Sequence, residues 1–294
     1  MARKVIDEEF LGQIETLQML VKNNVAGMFG GNHKSKTYGS SCEFADYREY
    51  APGDDITKID WNAYARFENL YTKLFLDERQ MHTRIYIDAS RSMGFGKGKK
   101  DEQSLRLAAA FAYLSVCEMD KVSIYAVRDD KLECVISGML GKEAYISSIG
   151  KLNDVEFYGD SKLSEAIVPS TVGYGDGMSI IISDFLTDND FSAAINHLAD
   201  KKRHVLCAQV LSKEELNPKA RGKMHFFDSE NGSKYYRKNI SREIISAYKQ
   251  AVDYVVERIK TVCASRGADY MLVGAEDSIG DLFFNKLVSE GVLK

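Results

Sequence analysis

The stretch IDASRSMGFGKGKK, Ile87 to Lys100, changes character within a few positions: an apolar run ends, an aspartate and two alternate serines follow, and glycines and lysines then take over. Thr83 to Ile87 carries the residue pattern of a β-strand, which delivers Asp88, Ser90 and Ser92 to the place where that strand meets solvent. An aspartate at a strand end with serines at the next alternate positions lets one tight loop aim three side chains at a common point. Taken alone, such a string is also a turn whose Asp and Ser bond the following backbone. Further oxygens arriving at the same edge would decide between the two readings.

The chain beyond it has a regular rhythm. Strands are expected at Val122 to Val127, Glu133 to Ile136, Met178 to Ser183, His204 to Val210 and Tyr270 to Val273. Helices are expected at about Asp101 to Met119, Lys142 to Leu152, Leu163 to Val168 and Phe191 to Ala199, in a long segment that Ser241 can cap, and from about Ser278 to Glu290. The dipeptide Asn231-Gly232 signals a hairpin between short strands near Met224 to Phe227 and Lys234 to Arg237. Strands apolar on both faces and alternating with helices imply a mostly parallel sheet between two helical layers, a three-layer α/β fold of Rossmann-like kind. Ligands gather at the carboxyl ends of the strands in such sheets.

Two further oxygen donors leave the chain at that edge. Met178 to Ile182 ends in Ser183-Asp184, and GDSKLSEAI, Gly159 to Ile167, begins a helix with Ser161 in its entry loop. Asp88, Ser90, Ser92, Ser161 and Asp184 can therefore converge. Hydroxyls and carboxylates without sulfur or imidazole suit a hard cation, Mg²⁺ or Mn²⁺ rather than Zn²⁺. The expected arrangement has Ser90, Ser92 and Ser161 as direct ligands and Asp88 and Asp184 acting through bound water. Neutral hydroxyls leave the ion under-neutralised and able to attract a further carboxylate.

Upstream of the strand, residues 1–80 are expected to form an N-terminal helix and an extension packed on the main domain, which occupies residues 81–294. Asp7 to Lys22 has Phe10, Ile14 and Leu17 on one helical stripe. Tyr38 to Glu78 reads as loop, a turn at Pro52-Gly53, a short helical turn after Asp54 and Asp55, and a strand near Leu70 to Leu76. Arg48, Asp54, Asp55, Asp60, Trp61 and Arg66 are expected as charge pairs and a buried Trp that clamp this segment down. Gly94 to Lys100 fits neither nucleotide-binding glycine motif and is expected as a solvated, flexible loop into the following helix.

Composition excludes several classes. The 294 residues are 45% hydrophobic and 28% charged, enough for a full-sized core. Lys and Arg number 39 against 43 Asp and Glu, so no basic footprint favours nucleic acid or an anionic membrane surface. No apolar run reaches the roughly 20 residues of a membrane span, and MARKVIDEEF carries no signal-peptide stretch. Five scattered cysteines (Cys42, Cys117, Cys134, Cys207, Cys263) without a C-x-x-C pair imply reduced thiols and a cytoplasmic setting.

IDASRSM resembles the D-x-S-x-S motif of von Willebrand factor A-type domains, whose metal-ion-dependent adhesion site also takes a threonine from a later loop and an aspartate from a later strand. GDSKLSEAI is similar to the G-x-T-x-L stretch of that family, with Ser161 in the threonine's place, and IIISDF matches the later strand. Serine keeps the hydroxyl and loses a methyl that restricts its rotamer. Over nearly the whole chain, SCEFADYREYAPGDDITKIDWNAYAR, LFLDE, YIDASRSMGFG and the FFDSENG hairpin resemble the domain-of-unknown-function 58 family. That resemblance implies a cytoplasmic or membrane-associated bacterial or archaeal protein acting with a MoxR-type AAA ATPase or its client, and carries no biochemical activity with it.

The leading expectation is a Mg²⁺-dependent adaptor that captures a partner carboxylate. Two alternatives stay open: a metal-dependent hydrolase of phosphate esters, and a module of this fold that no longer binds metal. An aspartyl nucleophile at Asp88 would want a second aspartate two residues on, where Ser90 stands, and Asp184 is followed by Phe185. No histidine, cysteine or lysine is placed as a general base, so an enzyme is not expected.

Overall fold

The computed structural model describes residues 4–24, 34–38, 44–78, 81–95, 99–175, 177–218, 222–227 and 235–282. The chain divides into two compact units, Gly30–Gln80 and the combination of Met1–Phe29 with Met81–Lys294.

Helix α1 (Glu8–Asn24) opens the larger unit and has acidic residues in its first turn, where the helix dipole favours them. The smaller unit follows with β1 (Lys34–Tyr38), β2 (Phe44–Glu49), a 3₁₀ turn (Ile56–Lys58), α2 (Trp61–Phe67) and β3 (Tyr71–Glu78). Its three strands form an antiparallel sheet in the order β1-β3-β2. Asp55 caps the 3₁₀ turn through the Thr57 amide at 2.9 Å, and Asp60 caps α2 through the amides of Asn62 and Ala63 at 2.9 and 3.2 Å. Arg48 pairs with Asp54 at 2.6 Å, as expected of this segment. Trp61 is not buried: it is 62% exposed and meets Tyr64 edge-to-face. The sequence placed neither β1, β2 nor α2, because the two strands are short and charged and the Asp60 cap of α2 lies among so many other charges that the pattern reads as loop.

In the larger unit β4 (His82–Asp88), α3 (Arg91–Gly94), α4 (Lys100–Cys117), β5 (Lys121–Arg128), β6 (Lys131–Met139), α5 (Gly141–Ser148), α6 (Leu163–Ile167), β7 (Met178–Ser183), α7 (Ser192–Asp200), β8 (His204–Leu211) and α8 (Lys213–Leu216) succeed one another. A hairpin of β9 (Gly222–Phe227) and β10 (Tyr235–Ile240), the long α9 (Arg242–Arg266), β11 (Asp269–Gly274) and α10 (Ile279–Asp281) complete the described chain. Six strands form one sheet in the order β11-β8-β7-β4-β5-β6. All neighbours are parallel except β5 and β6, which turn back on each other at Asp129. Counted from β4, this is the doubly wound order with an antiparallel edge strand.

Strand alternation sorts the core into two layers. Ile85, Ile87, Ile180, Ile182, Leu206 and Ala208 face a layer that holds α4 and α5 and also Phe10 and Ile14 of α1. Tyr86, Ile181, Val205 and Cys207 face the opposite layer of α6, α7 and α9. Helix α4 is buried almost all round, and the run Ala108 to Ala110 with Ala112 has no side-chain bulk to hold it off the sheet. The Asn231-Gly232 turn, Cys42 and the expected helix beyond Leu282 lie outside the described residues.

Candidate metal centre

Parallel pairing of β4 with β7 sets Ile87 beside Ile182, so both strands run out at the same level. Asp88 and Asp184 follow there, each fully buried. The Asp88 carboxylate is the hub of the edge. Its Oδ1 accepts the Ser90 amide at 3.1 Å, its Oδ2 accepts the Ser161 hydroxyl at 2.6 Å, and the Ser183 hydroxyl donates to the same oxygen. Ser90 Oγ lies 3.1 Å from Ser92 Oγ. Ser90 occupies the N-cap of α3 but makes no side-chain cap, so its hydroxyl is not committed to the helix end.

Ser161 reaches Asp88 because its loop is laced onto the strand ends by backbone bonds. Asp129 N donates to Asp160 O at 3.0 Å, Arg91 N to Gly159 O at 3.0 Å and Tyr158 N to Ala89 O at 2.9 Å. The Asp129 carboxylate accepts the Asp160 amide at 2.9 Å. Gly159 sits at φ +76°, and a Cβ there would lie 2.8 Å from the Asp129 carboxylate oxygens. Only glycine fits that position. From the β7 side, Thr187 Oγ1 and Asn189 Nδ2 donate to the Ser161 carbonyl at 3.2 and 2.9 Å. Four of the expected donors, Asp88, Ser90, Ser92 and Ser161, are thus joined in one hydrogen-bonded group.

Asp184 stands differently. Its Oδ1 accepts the Leu186 amide at 3.0 Å, and its Oδ2 receives the Lys100 ammonium at 2.8 Å. Lys100 also donates to Glu215 Oε1 at 2.7 Å. Lys100 is the first residue of α4 and only 3% exposed. The expectation of a solvated loop ending at Lys100 is corrected at this residue, because two carboxylates draw its ammonium inward. Glu215 is itself held by a capping box, its Oε2 accepting the Ser212 amide at 2.7 Å and the Ser212 hydroxyl at 2.9 Å.

Charge and burial pull against each other here. Burial above all, and next the charge of Asp184, push the Asp88 carboxyl above its ordinary range, with hydrogen bonds from Ser161, Ser183 and Ser90 opposing. Burial disfavours the charged form of Lys100, yet Asp184 and Glu215 outweigh it and hold the ammonium above its ordinary value. The Tyr248 hydroxyl of α9 is raised by burial and then by the charge of Glu215, with a smaller contribution from Asp184, which places this helix within the same field.

Among the described residues no three His, Cys, Asp or Glu side chains gather as a metal-binding group, so coordination would fall to the hydroxyls. Three serine hydroxyls beside two carboxylates are the donor chemistry of a hard divalent ion, and the residues fit such an ion. Sequence reasoning missed Ser183, Lys100 and Glu215. Glu215 was signalled by the Ser212-x-x-Glu215 capping pattern, whose second oxygen is free to act outward; nothing set Lys100 apart from Lys97 and Lys99.

The sheet order and the strand-end group define an α/β protein of von Willebrand factor A-like fold. The family described as "Protein of unknown function DUF58" matches residues 46–256, and the chain belongs to it. Two uncharacterized mycobacterial proteins, Rv1480 of Mycobacterium tuberculosis and Mb1516 of Mycobacterium bovis, are each 24% identical to it over 231 residues, 77% of this chain and 73% of theirs. Among solved structures, an aerotolerance-related membrane protein from Bacteroides fragilis is similar at 15% identity with a TM-score of 0.36, covering 71% of this chain and 97% of that one. The SpRpn10 VWA domain is similar at 10% identity with a TM-score of 0.34, covering 69% and 92%. Neither neighbour adds weight to what the strand order establishes. Among the described residues no helix is long and apolar enough to cross a membrane.

Proposed function

We propose that the chain is a metal-dependent, protein-binding adaptor and not an enzyme. Ser90, Ser92 and Ser161 would ligate a Mg²⁺- or Mn²⁺-class ion through their hydroxyls, with Asp88 and Asp184 acting through bound water. When bound, the ion supplies a Lewis-acidic position suited to a carboxylate from another protein. The observation that carries this reading is the Ser161–Asp88 hydrogen bond, which brings a hydroxyl from a separate loop onto the carboxylate that already organises Ser90. The family resemblance supports a MoxR-type AAA ATPase, or its client, as the source of the carboxylate. The four described cysteines are free thiols, which suits a cytoplasmic setting.

Among the described residues, the basic side chain hydrogen-bonded to Asp184 is Lys100, whose ammonium is held charged by its two acids and so offers no general base. Two experiments test the reading. Calorimetric titration of the purified chain with MgCl₂ and MnCl₂ should show one site that is lost in Ser161→Ala. Co-purification of a partner from cells of origin should require Mg²⁺ and fail in chelator. Partner retention in chelator, or turnover of a phosphate ester that disappears in Asp88→Ala, would overturn the adaptor assignment.

A further inference from the structure

Resting on that reading, we infer that Lys100 is a tethered counter-ion that competes with the divalent ion for Asp184 and thereby sets how tightly the site holds metal. The placement of Lys100 is not explained by the helix it begins. A cation in the first turn opposes the helix dipole, and Lys99 before it takes a left-handed conformation, φ +52°, with no side-chain cap. Both are unfavourable, and the compensation on hand is the pair of contacts to Asp184 and Glu215 at 2.8 and 2.7 Å.

Those contacts are built, not incidental. Asp184 is fully buried and Lys100 nearly so, which makes removal of either partner costly. Glu215 cannot swing away freely, because Ser212 holds its other oxygen twice. The ammonium therefore sits between one acid of the candidate metal group and one acid of α8. An Asp184 carboxylate already neutralised by Lys100 offers less charge to a metal-bound water, so the lysine lowers metal affinity. The same neutralisation leaves a bound ion less compensated by the protein, and hence more attractive to an outside carboxylate. Loose metal binding and strong carboxylate capture follow from one residue.

The test is calorimetry with MnCl₂ alone on the full chain, comparing wild type, Lys100→Gln, Lys100→Arg and a charge control, Lys213→Gln. Lys213 is exposed and pairs only with the exposed Glu276 among the described contacts. Lys100→Gln should tighten Mn²⁺ binding at least about tenfold, the effect that removing one positive charge roughly 6 Å from a divalent ion has even at the screening of bulk water. Lys100→Arg and Lys213→Gln should match wild type. Binding by Lys100→Gln where wild type shows none would carry the same meaning. Binding by wild type with unchanged or weaker affinity in Lys100→Gln overturns the role of Lys100 and leaves the metal site standing. Binding by neither overturns the metal site itself. Should Lys100→Gln unfold in chelator, its thermal midpoint is followed on adding MnCl₂: restored folding supports the competition, and a variant still unfolded at millimolar MnCl₂ refutes it.

Discussion

Ser161 Oγ donates to Asp88 Oδ2 at 2.6 Å across 73 residues of sequence, and this bond ties the Ser161 side chain to the end of the first strand of the main sheet. Ser161 is buried, so its hydroxyl has no water to fall back on. Ser161→Ala should cost about 1 kcal/mol of stability and abolish divalent binding, whereas Ser161→Thr should keep both. Urea unfolding and metal calorimetry check the two effects separately; a severalfold weaker site in Ser161→Thr would speak against Ser161 as a ligand.

Asp88 concentrates a buried negative charge that Asp184 repels. Replacing it by asparagine removes the charge and keeps the hydrogen bonds: an amide oxygen can accept the Ser90 amide while the amide nitrogen donates to the Ser161 and Ser183 hydroxyls. Asp88→Asn should therefore fold with a stability within about 1 kcal/mol of wild type at neutral pH while losing metal binding. A large loss of stability would mean that the carboxylate is structural first. Unchanged Mg²⁺ affinity would remove it from the site.

Gly159 holds the Ser161 loop at a backbone angle and a distance from Asp129 that a methyl group cannot share. Gly159→Ala should destabilise by about 1–2 kcal/mol through the left-handed conformation alone, with the contact to Asp129 adding to it. Because the same loop positions Ser161, metal affinity should fall as well, although Gly159 contributes no ligand. Stability lost with metal affinity intact would separate the loop from the site.

The alternation of apolar strands with helices, from Thr83 to Val273, was sufficient to read the layered sheet, because the inner strands β4, β5, β7 and β8 are buried along most of their length, and only the edge strand β6 is largely exposed. The candidate hydrogen-bonded group was legible for a related reason: Asp88 and Asp184 stand just where such runs stop, and Ser161 stands in the entry loop of a helix. Lys100 was not legible, since a lysine in a glycine-rich basic stretch looks solvated until a distant glutamate, Glu215, is brought to it by α8. In the smaller unit only β3 and the 3₁₀ turn after Asp55 were legible, and the rest failed for the opposite reason. Its strands and α2 depend on pairing and capping by Asp60 and not on a continuous apolar pattern, and Trp61 lies exposed on α2 where its hydrophobicity had suggested a core position.

The exposure of Trp61 can be read directly, because it is the single tryptophan of the chain. Its fluorescence should be red-shifted and readily quenched by iodide in the native protein, with little further shift on unfolding. Trp61→Ala should change stability by no more than about 0.5 kcal/mol, as expected of a surface substitution. A blue-shifted emission protected from iodide would show that the ring is covered.

His82, at the start of the first strand of the main sheet, gives the fold a pH dependence of defined sign. Burial, and then the charges of Arg84, Arg203 and Lys121, lower its imidazole from 6.5 to about 4. Its Nε2 lies 2.9 Å from the Ser123 hydroxyl, a contact the neutral ring satisfies. Above 6.5 both folded and unfolded chains carry a neutral ring, and His82 contributes no slope. As the pH falls below 6.5 the unfolded chain takes up a proton that the folded chain refuses until about 4, so stability declines across that window. Glutamine can keep a hydrogen bond to Ser123 and cannot titrate. His82→Gln should therefore lose less stability than wild type between neutral pH and about 4, measured as the urea midpoint at fixed ionic strength. Parallel declines in the two proteins would show that the ring is protonated in the fold at no penalty, and that the three neighbouring cations do not act on it as their placement requires.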